Sequence, residues 1–376
     1  MNIELMNKEL NEILDMFIML FNNDAKQHDK DWLKLMGKTV GGSEIAALLG
    51  LNPFSDFYKV VSSKINICKG IKPEPPSISC IWGTIFETVA TKIIEIDLGN
   101  QVKGSNICIQ RVEGHRNSPD GYTIINLYKK DNIYHIWTTD MDKSIIELSI
   151  IVLLEIKCPI SRKITGDIPK YYKPQVLSGL AVSPIATNGL YVDFLFKKCS
   201  LQQLEYNSVY DINFHKKDNN NLLPIAYGVI PFMLNRYNIS NESRKIYETI
   251  FDKPYDENSD NTVIDLGNVS NDTFTNILNL TIDYNLLFLP STVKFYDNRT
   301  SDELLNFSTR SNYILYAVLP WKLFDISYVS VKREPNFLES VYPIIQKVHS
   351  YVECSLRNDL SIKDTEVINI CSDIYD

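Results

Sequence analysis

Apolar residues recur at three- and four-residue intervals near the start of the chain, at Ile3, Met6, Leu10, Ile13, Leu14, Phe17 and Leu20. That is the spacing of one helix face, and it predicts a packing helix set off as a segment 1–30 by the polar run NNDAKQHDKD. The next patterned stretch is VGGSEIAALLGLNPF, residues 40–54. Here Ser43 reads as an N-cap, Ile45, Leu48 and Leu49 as the buried stripe, and Gly50 as the stop. A short helix with Phe57, Tyr58, Val60 and Val61 follows, then the proline-rich loop KGIKPEPPSIS. Trp82 opens a second amphipathic helix whose stripe is Trp82, Phe86, Val89, Ala90, Ile93 and Ile94. Glu87 sits about 100° round from Phe86, at the edge of that stripe, where a carboxylate is either solvated or turned into a cleft.

Beyond residue 105 the period changes to that of strands. NICIQRV (106–112) is followed by Ser118-Pro119-Asp120-Gly121, a turn by ordinary rules, and then by TIINLY, IYHIW and IIELSIIVLL within 122–154. LLEIKCP (153–159) reads as the end of a buried strand that Pro159 terminates. Pro174 starts a helix with Gln175 in its first turn and Val176, Leu177 and Leu180 packing, and NGLYVDFLF (188–196) is a further strand. Strand, helix, strand around LLEIK predicts an α/β fold with a mixed central β-sheet flanked by helices. Past residue 200 the pattern predicts a polar loop at 215–222, an irregular acidic stretch at 254–275, a strand at 321–331 and a helix at 335–356. The division expected is a segment 1–30, a core 31–200, and an extension 201–376 packed on the core.

Chemistry enters at the strand end. Residues two apart on a strand project to one side, so Glu155 and Lys157 emerge together, about 6–7 Å apart, while Ile156 stays in the sheet. An E-x-K triplet alone is weak, arising by chance roughly once in a few hundred positions. Asp120 gives it weight, because it too occupies a strand end.

Composition narrows the surroundings of this constellation. The 376 residues are 44% hydrophobic and 22% charged, ordinary for a globular protein. No apolar run approaches the ~18 residues of a membrane span, and the N-terminus carries acids where a signal peptide needs bases, so no membrane partner and an intracellular location are expected. Seven cysteines, none in C-x-x-C spacing, point to reduced thiols rather than a disulfide framework or metal cluster. A net charge of −8 argues against coating nucleic acid indiscriminately. Locally the balance reverses: Lys157, Arg162, Lys163, Lys170 and Lys173 face only Asp167 in the stretch 157–173.

In identity and order, Asp120, Glu155 and Lys157 resemble the PD-(D/E)xK nuclease core, in which an acid after one strand and E-x-K on the next hold a divalent metal at a phosphodiester. The wider series, Trp32, GGSEIAALLGLNPF, WGTIFE, NSPDGY, LLEIKCP with Arg162, and YYKPQVLSGL, resembles the phage lambda-type exonuclease or YqaJ-like viral recombinase family. The version in large DNA viruses of the African swine fever virus type is similar also at PISRKI and at WKLFDISY…PNFLESVYPIIQ. The resemblance implies a restriction-endonuclease-like core with family-specific insertions. It implies Mg²⁺ (or Mn²⁺) held by Asp120, Glu155 and Glu87, with Lys157 orienting or deprotonating the attacking water and Gln175 supporting the site. It implies DNA contacts from Ser43, Ser118, Arg162 and Lys163. Where the family carries an arginine for a 5′-phosphate this chain has Met36, flanked by Lys34 and Lys38 as substitutes. The implied activity is 5′→3′ exonuclease action on double-stranded DNA ends, supporting viral recombination or repair in the host cytoplasm. A homotrimeric ring and a single-strand annealing protein as partner are implied with it. Two rivals stand beside this expectation: a structure-specific endonuclease or junction resolvase of the same fold, and a non-catalytic DNA-end-binding or virion protein.

Overall fold

The chain's architecture, seen in a computed structural model, is described for residues 3–21, 30–71, 76–208, 226–235, 264–283 and 313–357, with isolated positions at 74 and within 241–254. Helices α1 (Ile3–Phe21), α2 (Lys30–Lys38), α3 (Ile45–Leu48), α4 (Phe57–Cys68) and α5 (Ile78–Leu98) precede the first long strand. Strands β1 (Val40–Gly41), β2 (Ile109–Val112) and β3 (His115–Asn117) make a small sheet of order β1-β3-β2. The main sheet runs β5 (Ile133–Ile136), β4 (Gly121–Lys130), β6 (Leu148–Lys157), β7 (Asn188–Lys198), β10 (Tyr313–Lys332) and β8 (Ala226–Asn235), with β9 (Ile264–Asp265) paired to β10. Helices α6 (Lys173–Val182), α7 (Leu201–Ser208), α8 (Asn271–Asp283) and α9 (Phe337–Arg357) complete the described elements.

The sheet is mixed, as expected. β6 is antiparallel to β4 and parallel to β7, and α6 makes the connection a parallel pair requires. β10 is antiparallel to both of its long neighbours. Alternation along β6 fixes the layers: Val152, Leu154 and Ile156 pack in one apolar cluster with the stripe of α5, whereas Ile151 and Leu153 pack in another with residues of α1, α4, α6 and α9. By the same parity Glu155 and Lys157, and Tyr191 and Asp193 on β7, lie on the α6 face. α6 comes close there because Gly179 and Gly189 lack side chains: a Cβ at Gly179 would stand 2.7 Å from Leu153 Cδ1.

Several boundaries differ from those the pattern predicts, each for a local reason. Ser43 does not cap its helix. The chain makes a single 3₁₀ turn over Gly42–Glu44, and Glu44 Oε2, itself held by Lys64, accepts from the Gly41 amide at 2.6 Å. Ser43 is left exposed, and Leu49 is exposed too, because α3 ends at Leu48 and Gly50 turns away with φ +67°. α5 begins at Ile78, one turn before Trp82, where the Ser77 side chain accepts from the Cys80 amide. Residues 271–275, expected to be irregular, open α8, and 215–222 lie outside the described residues. Among the described residues six cysteines are free, and no helix is long and apolar enough to cross a membrane.

Candidate active site

Antiparallel register places the predicted acids opposite one another. Gly121 pairs with Leu154, so Asp120, one step earlier, lies level with Glu155. Asp120 Oδ2 accepts from the Ile156 amide at 2.6 Å, which ties the turn to the E-x-K segment. Glu155 is buried and ion-paired with Lys157, and the Lys157 ammonium lies 5.0 Å from the centre of the Tyr172 ring. Glu87, half-buried on α5, is close enough for its charge to interact with those of Asp120 and Lys157. Asp120, Glu155 and Lys157 are thereby brought together at two adjacent strand ends, and Glu87 reaches their electrostatic field from α5, which packs on the other side of the sheet. Gln175 is half-buried in the first turn of α6, on the same face of the sheet as Glu155.

Electrostatics mark this cluster as short of positive charge. Burial, and after it the Lys157 charge working the other way and Asp120 adding repulsion, leave Glu155 pushed up to about 8. Burial and the Asp120 charge push Glu87 up to about 7. Asp120 is raised by burial too, against the opposing effects of Lys157 and the Ile156 amide. Burial also disfavours the Lys157 ammonium, but Glu155 and Asp120 outweigh it and raise its value. One ammonium is shared by three carboxyl groups, and with all of them ionised the cluster carries two uncompensated negative charges, the complement of a divalent cation.

Among the described residues no three His, Cys, Asp or Glu side chains form a ready-made metal cage. The fit to Mg²⁺ is nonetheless sound, because that ion takes one or two carboxylates and completes its shell with water and substrate phosphate. Asp120 and Glu155, at two adjacent strand ends, would be those carboxylates, with Glu87 within electrostatic range.

The predicted DNA contacts are more dispersed. Lys34, Lys38 and Lys163 are exposed, Ser43 is exposed, Ser118 is half-buried in the turn before Asp120, and Met36 is half-buried. Arg162 is already engaged: its guanidinium donates to both oxygens of the buried Asp193, at 2.9 and 2.5 Å, and to Tyr191 Oη at 3.1 Å. It also lies 5.7 Å from the Tyr172 ring centre. Tyr172 thus touches both Arg162 and Lys157, while Asp193 pairs in register with Lys157 across β6 and β7. Sequence reasoning passed over Asp193 and Tyr172. The lone acid in the apolar run NGLYVDFLF was the available signal for the first, since a charge at a buried strand position needs a partner.

Comparison with known proteins identifies the family. Residues 31–186 match the YqaJ-like viral recombinase domain. A protein of African swine fever virus is 30% identical over 344 residues in the Pretoriuskop isolate, covering 89% of this chain and 88% of that protein. The version in the Badajoz strain is 29% identical over 343 residues with the same coverage. Among solved structures, the alkaline exonuclease LHK-Exo of Laribacter hongkongensis is 17% identical and covers 44% of this chain and 74% of its own, with TM-scores of 0.31 (in complex with dAMP) and 0.29. From the match over 31–186 and the 30% identity along 89% of its length, this chain belongs to the YqaJ-like viral recombinase family, alongside the African swine fever virus proteins.

Proposed function

We propose that this chain is a metal-dependent deoxyribonuclease that degrades double-stranded DNA from its ends, 5′→3′, in viral recombination or repair. The observation that carries the reading is the assembly of Asp120, Glu155 and Lys157 from two adjacent strand ends, with the Ile156 amide fastened to Asp120. Asp120, Glu155 and Glu87 would hold Mg²⁺. Such an ion, when bound, lowers the pKa of water and polarises a phosphoryl oxygen. The chain's own groups do the rest. Lys157, fixed between Glu155 and Tyr172, presents ammonium protons to an attacking water or to the charge that develops on the phosphate. Asp193 and Tyr191 hold Arg162 beside it, and the exposed Lys163 and Lys170 add the positive field that draws a phosphate backbone. A homotrimeric ring, a single-strand annealing partner and a site of action in the host cytoplasm belong to the same reading.

The test is a duplex labelled at one 5′ or one 3′ terminus, incubated with and without Mg²⁺, beside a closed circular duplex. Metal-dependent release of the 5′ label as mononucleotide, with circles intact, is the expected result. Rapid cutting of circles would replace the exonuclease reading by an endonuclease, and absence of hydrolysis with any divalent cation would remove the enzyme.

A further inference from the structure

Away from the acidic cluster, β3 carries a buried cation that no carboxylate answers among the described residues. Arg116 is 8% exposed, its Nε is sealed from solvent with no acceptor, and its guanidinium makes neither a hydrogen bond nor an ion pair with any described residue. Its neighbours do not compensate it. The ring centre of Trp32 lies 5.8 Å from Cζ, and Gly41, paired with Arg116 in register, has the guanidinium where its side chain would stand. A Cβ at Gly41 would come within 3.2 Å of Nη2 and 3.3 Å of Cζ. The carboxylate nearby, Glu44, is committed elsewhere: it receives Lys64 Nζ at 3.0 and 2.8 Å and the Gly41 amide at 2.6 Å.

Lys64 is itself 1% exposed and is held further by the carbonyls of Met36 and Thr39. Arg116 is near enough to oppose its charge. Among the described residues, the pocket between α2, β1 and β3 therefore holds two buried cations and one anion. An uncompensated buried guanidinium is costly, and burial without a partner among the described residues is what a bound anion would relieve. The two terminal nitrogens, which meet no acceptor among the described residues, are not sealed as Nε is. A planar fork with two terminal nitrogens short of acceptors, an aromatic ring 5.8 Å from its carbon and a residue without a side chain against it, suits a tetrahedral oxyanion.

We propose that Arg116, backed by Gly41 and Trp32, is a phosphate-binding residue whose ligand is a phosphate group of the nucleic acid substrate. The inference rests on the nuclease reading for the identity of that substrate, while the anion chemistry stands on the pocket alone.

The experiment is done in EDTA, so that binding is read without turnover. Wild type, Arg116→Met, Arg116→Lys and Gly41→Ala are compared in thermal shift with inorganic phosphate against chloride at equal ionic strength. They are then compared in affinity for one short duplex bearing either 5′-phosphate or 5′-hydroxyl ends. Phosphate is expected to stabilise wild type and not Arg116→Met, and duplex affinity is expected to fall about tenfold in Arg116→Met and Gly41→Ala, less in Arg116→Lys. A loss confined to the 5′-phosphorylated duplex assigns the pocket to the strand terminus, and an equal loss with both assigns it to a backbone phosphate; either supports the proposal. A folded Arg116→Met protein that binds phosphate and both duplexes as wild type does would overturn it. If Arg116→Met does not fold, the wild type decides: the Arg116 Nε–H resonance must move on titration with inorganic phosphate, and a resonance that stays in place rejects the site. A protein that passes these binding tests yet never hydrolyses DNA would keep the phosphate site and lose the nuclease reading.

Discussion

Asp120 is hydrogen-bonded not to the glutamate beside it but to the backbone amide of Ile156, the residue between Glu155 and Lys157. One carboxylate oxygen is thereby spent on locating the E-x-K segment, leaving the other for a ligand. Loss of charge and loss of the bond separate cleanly in two variants. Asp120→Asn keeps an acceptor for the amide, so it should lose hydrolysis at near-native stability. Asp120→Ala should lose hydrolysis and also about 1–3 kcal/mol of stability, because a buried amide is left unpaired. Both should still bind duplex ends. Urea unfolding read beside the nuclease rate checks this, and an Asp120→Ala protein that cuts DNA at the native rate rejects the assignment.

Stability of the metal-free protein should depend on pH in a defined direction. The values of Glu87 and Glu155 lie above the ordinary 4.5, at about 7 and about 8, so the fold favours their protonated forms. Their contribution is fully present below about pH 4.5 and is lost as pH rises through 7 to 8. A divalent cation needs the charged forms, so the rise in melting temperature on adding Mg²⁺ should be small at pH 6 and large at pH 9. A metal-induced shift that is equal at both values would contradict the site.

Arg162 should behave as a structural partner of Asp193 more than as a free phosphate contact. Asp193 is 1% exposed, and Arg162→Ala leaves its carboxylate with only the Tyr191 hydroxyl among the described side chains. The expected cost is about 3–5 kcal/mol, much reduced when Asp193→Asn is added. If the salt dependence of DNA binding drops in Arg162→Ala while unfolding is unchanged, the guanidinium serves DNA directly and this partnership is secondary.

Affinity for duplex should fall as salt rises, because Lys34, Lys38, Lys163 and Lys170 are exposed, where phosphates can reach them. Removing Lys163 should lower the slope of log affinity against log salt by about 1, uniformly across DNA sequences. A salt-independent affinity would mean that this stretch does not meet DNA.

The α/β order, the strand of Glu155 and the helix after Pro174 were legible because their apolar periods are long and each is bounded by proline or glycine. The junction of Asp120 with Glu155 was legible because Asp120 immediately precedes one apolar strand and Glu155 closes the apolar run of another. What stayed hidden was β3. His115, Arg116 and Asn117 are polar yet buried, and the strand is three residues long with a partner, Val40–Gly41, far away in sequence. Hydrophobic pattern assigns such residues to a surface loop, and only tertiary contacts, such as the His115 ring bonded to Val40 O and Ser178 Oγ, put them inside. The Ser43 cap failed for a related reason: Lys64, twenty residues beyond Glu44, holds that carboxylate in place to take the amide instead.

β10 has a bearing on how the protein is made. The edge of β7 that faces away from β6 is closed by Trp321–Lys332, a segment translated long after Lys198. Until it emerges, the strand that carries Asp193 has a bare row of amides and carbonyls, a state prone to mispairing with other chains. Residues 313–332 therefore act as a late-arriving clasp, and a ribosome stalled before them would release a sheet with an open side.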